Sequence, residues 1–105
     1  MAKTYDIPRC PVARTLDLIG ERWTVLILRD LFLQGPRRFQ DFQDSLEGIA
    51  PNILSTRLKN LEANGVVERK TYSERPVRLE YHLTEKGRSL RPVLRAMRKW
   101  GEANT

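Results

Sequence analysis

The chain has 105 residues, of which 40% are hydrophobic, and this size suits a single domain with one modest core. Its formal net charge of +6 favours a polyanionic partner, usually nucleic acid and sometimes a membrane surface. One cysteine excludes an intrachain disulfide, and the first segment, MAKTYDIPRC, lacks the apolar run of a signal peptide, so we expect a cytoplasmic protein.

Two helices are predicted in the first third of the chain. Pro11 suits the first position of a helix capped by Cys10, and an apolar stripe follows at helical spacing: Val12, Leu16 and Ile19. The second helix spans about residues 21–33 and is apolar nearly all round, which places it in the centre of the fold. Its run WTVLILRDLFL holds two charged residues and is too short to cross a membrane.

A helix-turn-helix is predicted over about residues 38–64. The first of its two helices carries apolar residues at helical spacing, namely Phe39, Phe42 and Leu46. A turn around Gly48 follows, and Pro51 suits the start of a second helix whose inward stripe consists of Leu54, Leu58 and Leu61. Gly65 is the expected stop of this second helix.

The remaining chain predicts a hairpin and a last helix. Residues 66–84 alternate between apolar and polar on both sides of a turn that contains Pro76, which is typical of two antiparallel strands. Thr84 can cap a helix over about residues 85–102. A helix-turn-helix followed directly by a hairpin is a winged helix-turn-helix, so we predict a mainly α single domain, residues 1–105, with a small β-hairpin.

The second helix of the motif has a polar face opposite its leucines. At about 100° per residue, Asn52, Thr56 and Lys59 point away from the leucine stripe, and Ser55 flanks them. In helix-turn-helix proteins this helix enters the major groove, where Asn, Ser, Thr and Lys side chains suit base edges or phosphates. The predicted base-contacting residues are therefore Asn52, Ser55, Thr56 and Lys59; the alternative is a merely solvated face.

Cations near the motif and in the hairpin are candidates for phosphate contacts. Two of them precede the first helix of the motif and three lie along the hairpin. Arg57 sits nearer the inward stripe of its helix and either supports packing or reaches a phosphate. The predicted set is Arg37, Arg38, Arg57, Lys70, Arg75 and Arg78; the alternative is that they are ordinary exposed side chains.

The last helix combines an apolar stripe with an arginine stripe. A domain of this size cannot bury the whole apolar stripe. We therefore predict that the stripe pairs with the same helix of a second chain through Leu90, Leu94, Met97 and Trp100. The cations Arg88, Arg91, Arg95 and Arg98 also recur at helical spacing. They form either a DNA-facing stripe or the solvated face, where the helix dipole favours cations near the C-terminus.

Cys10 is the one position with reactive potential. At a helix N-terminus, between Arg9 and Arg14, its thiolate form is favoured, as in a sensing thiol; the alternative is a small packing residue. One cysteine and one histidine, His82, provide neither a metal site nor a nucleophile–base pair. With no glycine-rich phosphate loop either, we expect no enzyme activity, no metal and no cofactor.

Three segments together resemble the HxlR-type family of bacterial transcriptional regulators, which are winged helix-turn-helix proteins. They are CPVARTLDLIGERWTVLILRDLFLQGPRRFQDFQ, IAPNILSTRLKNLEANGVVER and RLEYHLTEKGRSLRPVL, and the resemblance covers about residues 9–101. It implies a homodimer, paired through N- and C-terminal helices, that binds a palindromic double-stranded DNA operator.

The resemblance also implies a sensing role for Cys10, because the cysteine of the CPV motif senses electrophiles or oxidants in several members. With one cysteine per chain, a switch requires a disulfide between two subunits, a mixed disulfide with a small thiol, or alkylation.

We predict that the protein is a DNA-binding regulator that acts as a repressor rather than as an activator. The alternatives are a thiol sensor as the main role, or a protein-interaction module that binds no DNA.

Overall fold

The computed structural model describes residues 10–105, which form six helices and one two-stranded antiparallel sheet. The elements in chain order are α1 (Pro11–Ile19), α2 (Arg22–Gln34), α3 (Phe39–Ser45), α4 (Pro51–Ala63), β1 (Val67–Glu74), β2 (Val77–Leu83), α5 (Glu85–Arg88) and α6 (Arg91–Asn104). The predicted helix-turn-helix corresponds to α3 and α4, and the predicted hairpin to β1 and β2. The mainly helical winged fold is thus confirmed.

The core forms around α2, as its apolar sequence predicts. Ile27 and Leu28 are completely buried, and they belong to one cluster with the inward faces of α3 and α4. That cluster includes the predicted leucine stripe of α4, Leu54, Leu58 and Leu61. Burial of a leucine stabilises the fold by about 1.5–3 kcal/mol, so this stripe holds α4 firmly and fixes which of its faces points outward.

A buried carboxylate connects α2 to the start of the motif. Asp30 is only 4% exposed. Its Oδ2 lies 3.4 Å from Nε of Arg37 and accepts a hydrogen bond from the hydroxyl of Ser45 at the end of α3. A buried charge is tolerated when it is paired and hydrogen-bonded, so these contacts explain an aspartate within the central helix of the core.

The hairpin is attached to the motif through Tyr81. Arg37 and Tyr81 exchange backbone hydrogen bonds of 3.1 and 2.7 Å, which adds one residue pair beside β2. The ring of Tyr81 packs edge-on against Phe42 of α3, with 6.0 Å between the ring centroids. Burial raises the pKa of Tyr81. The base of the hairpin is therefore fixed to α3.

Residues 84–87, with the sequence TEKG, hold the C-terminal end of α4 in place through hydrogen bonds. The hydroxyl of Thr84 lies within hydrogen-bond distance of the carbonyls of Gly65 and Val66 and also caps α5 by accepting from the Gly87 N–H (3.1 Å). Lys86 Nζ donates to the carbonyl of Asn64 (2.8 Å), just beyond α4. A Cβ on Gly87 would lie 2.2 Å from the carbonyl oxygen of Val66, so only glycine permits this approach.

The predicted last helix over residues 85–102 is instead two helices. α5 ends at Arg88, and α6 begins at Arg91, after Leu90. The physical reason is Pro92, which has no N–H to donate to the carbonyl of Arg88 and whose ring would clash with that carbonyl in a continuous helix. No helix within residues 10–105 combines the length and apolarity needed to cross a bilayer.

Candidate nucleic-acid interface

The predicted base-contacting residues occupy the outward face of α4. Asn52, Thr56 and Lys59 are exposed, and Ser55 is half-buried at the edge of that face. The hydroxyl of Thr56 donates to the backbone carbonyl of Asn52 (2.9 Å), which leaves the oxygen lone pairs for an outside donor. Within the part of the chain that the structure describes, Lys59 forms no ion pair. The face is thus polar and accessible, and no carboxylate among the described residues pairs with its lysine.

Arg57 does not join this face. Its Nε lies 3.0 Å from Oε2 of Glu21, and its side chain is 28% exposed. The same carboxylate oxygen accepts the backbone N–H of Thr24 (3.0 Å) and so caps the N-terminus of α2. Arg57 therefore connects α4 to α2. This arrangement supports the packing alternative, and we remove Arg57 from the candidate phosphate contacts.

Arg37 is likewise directed into the protein. Its side chain is 19% exposed, lies beside the buried Asp30, and donates through Nη2 to the carbonyl of Asp41 (3.1 Å). Its backbone is engaged with Tyr81. The prediction that Arg37 contacts a phosphate is therefore replaced by a structural role at the junction of α2, α3 and β2.

Arg38 remains accessible beside the N-terminus of α3. Its side chain is 51% exposed and forms two hydrogen bonds to the carboxylate of Asp41, 3.2 Å from Nε and 3.1 Å from Nη2. Asp41 also accepts the backbone N–H of Arg38 (2.9 Å). These side-chain and backbone hydrogen bonds from Arg38 lower the pKa of Asp41. A phosphate at Arg38 would therefore compete with a carboxylate already in place.

The hairpin cations are the freest candidates for phosphate contacts. Arg75, at the turn, and Arg78, on β2, are exposed and form no ion pair with another of residues 10–105. Lys70 Nζ lies 3.2 Å from Oε1 of Glu68, and both side chains are about half exposed. Exposed pairs of this kind contribute little energy, so Lys70 can exchange its carboxylate for a phosphate.

A separate apolar surface lies between α1, α2 and α6. We call it the apolar groove: it has a volume of about 710 Å³ and its walls include Val12, Leu16, Val93 and Met97. Val12 is 69% exposed and Leu16 57% exposed. Contiguous exposed apolar surface of this kind is typical of a site that interacts with another molecule.

The apolar groove revises the predicted pairing residues. Met97 and Trp100 are exposed, as pairing requires, but Leu90 and Leu94 are partly buried against the protein's own core. Val12, Leu16 and Val93 line the same groove but were not among the predicted pairing residues. Val12 and Leu16 belong to the predicted stripe of α1, in which Ile19 is the one member buried in the core, so the exposed part of that stripe could be read from the sequence.

Cys10 caps α1, as predicted. Its Sγ accepts the backbone N–H of Ala13 at 3.4 Å, and the residue is half-buried. The expected flanking cation Arg9 lies outside the described residues.

Other residues with metal-binding or catalytic potential do not cluster. Across residues 10–105, no three side chains of the His, Cys, Asp or Glu types are grouped so as to hold a metal ion. The Nε2 of His82 lies 3.0 Å from Oε1 of Glu80 on the same strand. This pair is a local contact on β2.

The chain is similar to known proteins both in sequence and in structure. A family model described as HxlR-like helix-turn-helix matches residues 18–105, so the match contains α2 to α6 but not Cys10. An uncharacterized HTH-type transcriptional regulator of Synechocystis sp. is 44% identical over 92 residues, which cover 88% of this chain and 67% of the relative.

Two solved structures are similar over most of the chain. The redox regulator HypR in its oxidized form has a TM-score of 0.83 and 40% identity, and the alignment covers 91% of this chain and 98% of HypR. The reduced form of the transcriptional regulator YodB from Bacillus subtilis has a TM-score of 0.78 and 38% identity, with 90% and 93% of the two chains covered.

Proposed function

This chain belongs to the HxlR-like helix-turn-helix family and is a transcriptional regulator of the HTH type, and we propose that it binds a specific operator in double-stranded DNA by placing α4 in the major groove. The observation that carries this proposal is the outward face of α4, which is polar and exposed directly opposite a fully buried leucine stripe. Side chains of these types are the ones that read base edges.

The proposed phosphate contacts lie on the hairpin and at the start of α3. Arg75 and Arg78 are exposed and unpaired within the described chain, and Lys70 has an exposed partner. Arg38 is also accessible, but a phosphate there would have to displace the carboxylate of Asp41. Phosphate contacts add affinity and orientation rather than sequence choice. We assign these four cations to the DNA backbone and the α4 face to the bases.

We propose that the regulator acts as a homodimer, with the apolar groove and Trp100 covered by a second copy. Two-fold symmetry presents two copies of α4 to the DNA, and the operator is then palindromic. A dimer bound to two half-sites would block RNA polymerase from a promoter that overlaps them. We therefore propose that the protein is a repressor and that it acts in the cytoplasm.

Selection from a random duplex library tests the operator proposal. We expect enrichment of inverted half-sites whose centres lie about 34–36 Å apart, or a multiple of that distance. Electrophoretic mobility shifts should confirm one dimer per site. If no sequence is enriched, the result would instead favour a protein-interaction module that binds no DNA. If the enriched sequences contain one half-site without an inverted repeat, the result would contradict a dimer bound to a palindromic operator.

We further propose that modification of Cys10 changes the affinity for DNA. Cys10 begins the helix that forms one wall of the apolar groove. A bond formed at its sulfur removes the hydrogen bond from Ala13 or rearranges this end of α1, and the dimer is altered with it. The similarity to a redox regulator supports this proposal.

The test of the Cys10 proposal uses diamide, which oxidises two thiols, here those of Cys10 in two subunits, to a disulfide and is itself reduced to the hydrazine. We expect diamide to change operator affinity of the wild type by about tenfold or more, within the range of typical coupling energies. Cys10→Ser should bind the operator normally and show no response. Equal responses of the two proteins, or no response of the wild type, would leave Cys10 a helix cap only.

A further inference from the structure

A second groove adjoins the apolar groove, between α6 and α2, and we call it the arginine groove. Its volume is about 710 Å³, within the range of small-molecule sites. The apolar part of its lining includes Phe32, Leu33, Leu94 and Met97. Leu33 is 65% exposed and Met97 50% exposed, so the groove is open to solvent as well as apolar.

Four arginines surround this apolar lining, and no carboxylate residue belongs to it. They are Arg29 from α2 and Arg91, Arg95 and Arg98 from α6. Arg91 is held over the groove by its contact with the ring of Phe32, 4.7 Å from the centroid. Arg98 lies 3.5 Å from Glu102, and both side chains are largely exposed. Across residues 10–105, Arg29, Arg91 and Arg95 have no ion-pair partner.

We propose that the arginine groove binds a small organic anion with an apolar body, of the class of medium-chain or aromatic carboxylates. Arginine matches a carboxylate through paired N–H donors, and an alkyl or aryl body would cover Phe32 and Leu33. Three of the four arginines of the predicted stripe, Arg91, Arg95 and Arg98, thereby have a role other than DNA contact or simple solvation.

Charge decides between this ligand and a second copy of the chain as the occupant. The two grooves share Val25, Leu26 and Met97, but the apolar groove has one arginine and one glutamate in its lining, whereas the arginine groove has four arginines. If this groove met its own copy at a two-fold axis, four arginines of each subunit would come together with no carboxylate from either lining, and like charges repel. The second copy therefore suits the apolar groove, and an anion suits the arginine groove.

Calorimetric titration of the intact protein with sodium octanoate tests the proposal. We expect saturable binding with a dissociation constant of roughly 0.1–1 mM at constant ionic strength. Octan-1-ol, which has the same chain without the charge, should bind at least about tenfold more weakly. Equal affinities for octanoate and octanol, or no saturation by octanoate up to about 10 mM, would overturn the proposal.

Variants locate the site. Arg29→Gln/Arg95→Gln removes one cation from each wall, and we expect octanoate affinity to fall about tenfold or more. The control Arg75→Gln/Lys99→Gln removes the same charge outside the groove and should leave octanoate affinity unchanged.

The variants also separate the anion from a second copy. Equal loss in the groove and control variants would show a general charge effect and overturn the proposal. If the groove variant instead dissociates a dimer while octanoate fails to bind, the occupant is the second copy. Octanoate binding requires neither DNA nor dimerisation, so its failure would leave the proposed function untouched.

Discussion

We expect the affinity for a selected operator to fall by about 10³-fold or more when four residues of α4 are replaced together by alanine: Asn52, Ser55, Thr56 and Lys59. Each good base contact discriminates by about 1–3 kcal/mol, so loss of four such side chains reduces specific binding to the non-specific level. Fluorescence anisotropy at fixed salt measures the affinity. Because all four lie at the protein surface and alanine favours helix, circular dichroism should show an intact fold.

Arg57→Gln is the matched control, because it lies on the same helix but points to Glu21. We expect its operator affinity to stay within about threefold of the wild type, while thermal unfolding shifts to lower temperature as the cap of α2 loses its partner. Lys59→Ala alone should also reduce the salt slope of binding by about 1 if Lys59 contacts a phosphate. Tight, salt-sensitive binding by the quadruple variant would show that α4 does not enter the groove.

The sequence predicted most of the fold because its strongest signals are local. Cys10 and Pro11 mark the start of α1, and the leucine spacing of α4 gives its buried face directly. Gly65 is the expected stop: it has a φ of 72°, a conformation that suits glycine. The break before α6 was missed because the apolar stripe continues through it, whereas the decisive feature is the missing N–H of Pro92.

The site was predicted less completely because the partners of its cations are distant in the chain. Whether Arg57 faces DNA or protein depends on Glu21, which reaches it only through the packing of α2 against α4. Arg37 depends in the same way on Asp30. A single sequence shows on which face of a helix an arginine lies, but not which element packs against that face. Predictions of phosphate contacts therefore fail for arginines at the edge of a buried face. Fully outward residues such as Thr56 carry no such ambiguity.

A second large loss of operator affinity is expected when negative charge is introduced into the apolar groove. We expect Leu16→Glu/Met97→Glu to be a monomer at micromolar concentration, because dimer formation would have to remove two carboxylates per subunit from water. Both side chains are at least half exposed in the single chain, so the fold should survive. Operator affinity should fall by about 10²–10⁴-fold, since the second half-site is then no longer held at high effective concentration. Sedimentation velocity and anisotropy measure the two effects.

Leu33→Glu is the control for this variant. Leu33 is also strongly exposed and apolar, but it lies outside the apolar groove, and so the change should leave the dimer intact. A wild type that sediments as a monomer, or a Leu16→Glu/Met97→Glu protein that remains a dimer, would contradict the proposed interface. If the variant is monomeric yet keeps full operator affinity, the two copies of α4 do not bind jointly. The dimer would then be correct but the palindromic operator wrong, because only simultaneous contact with two half-sites makes affinity depend on pairing.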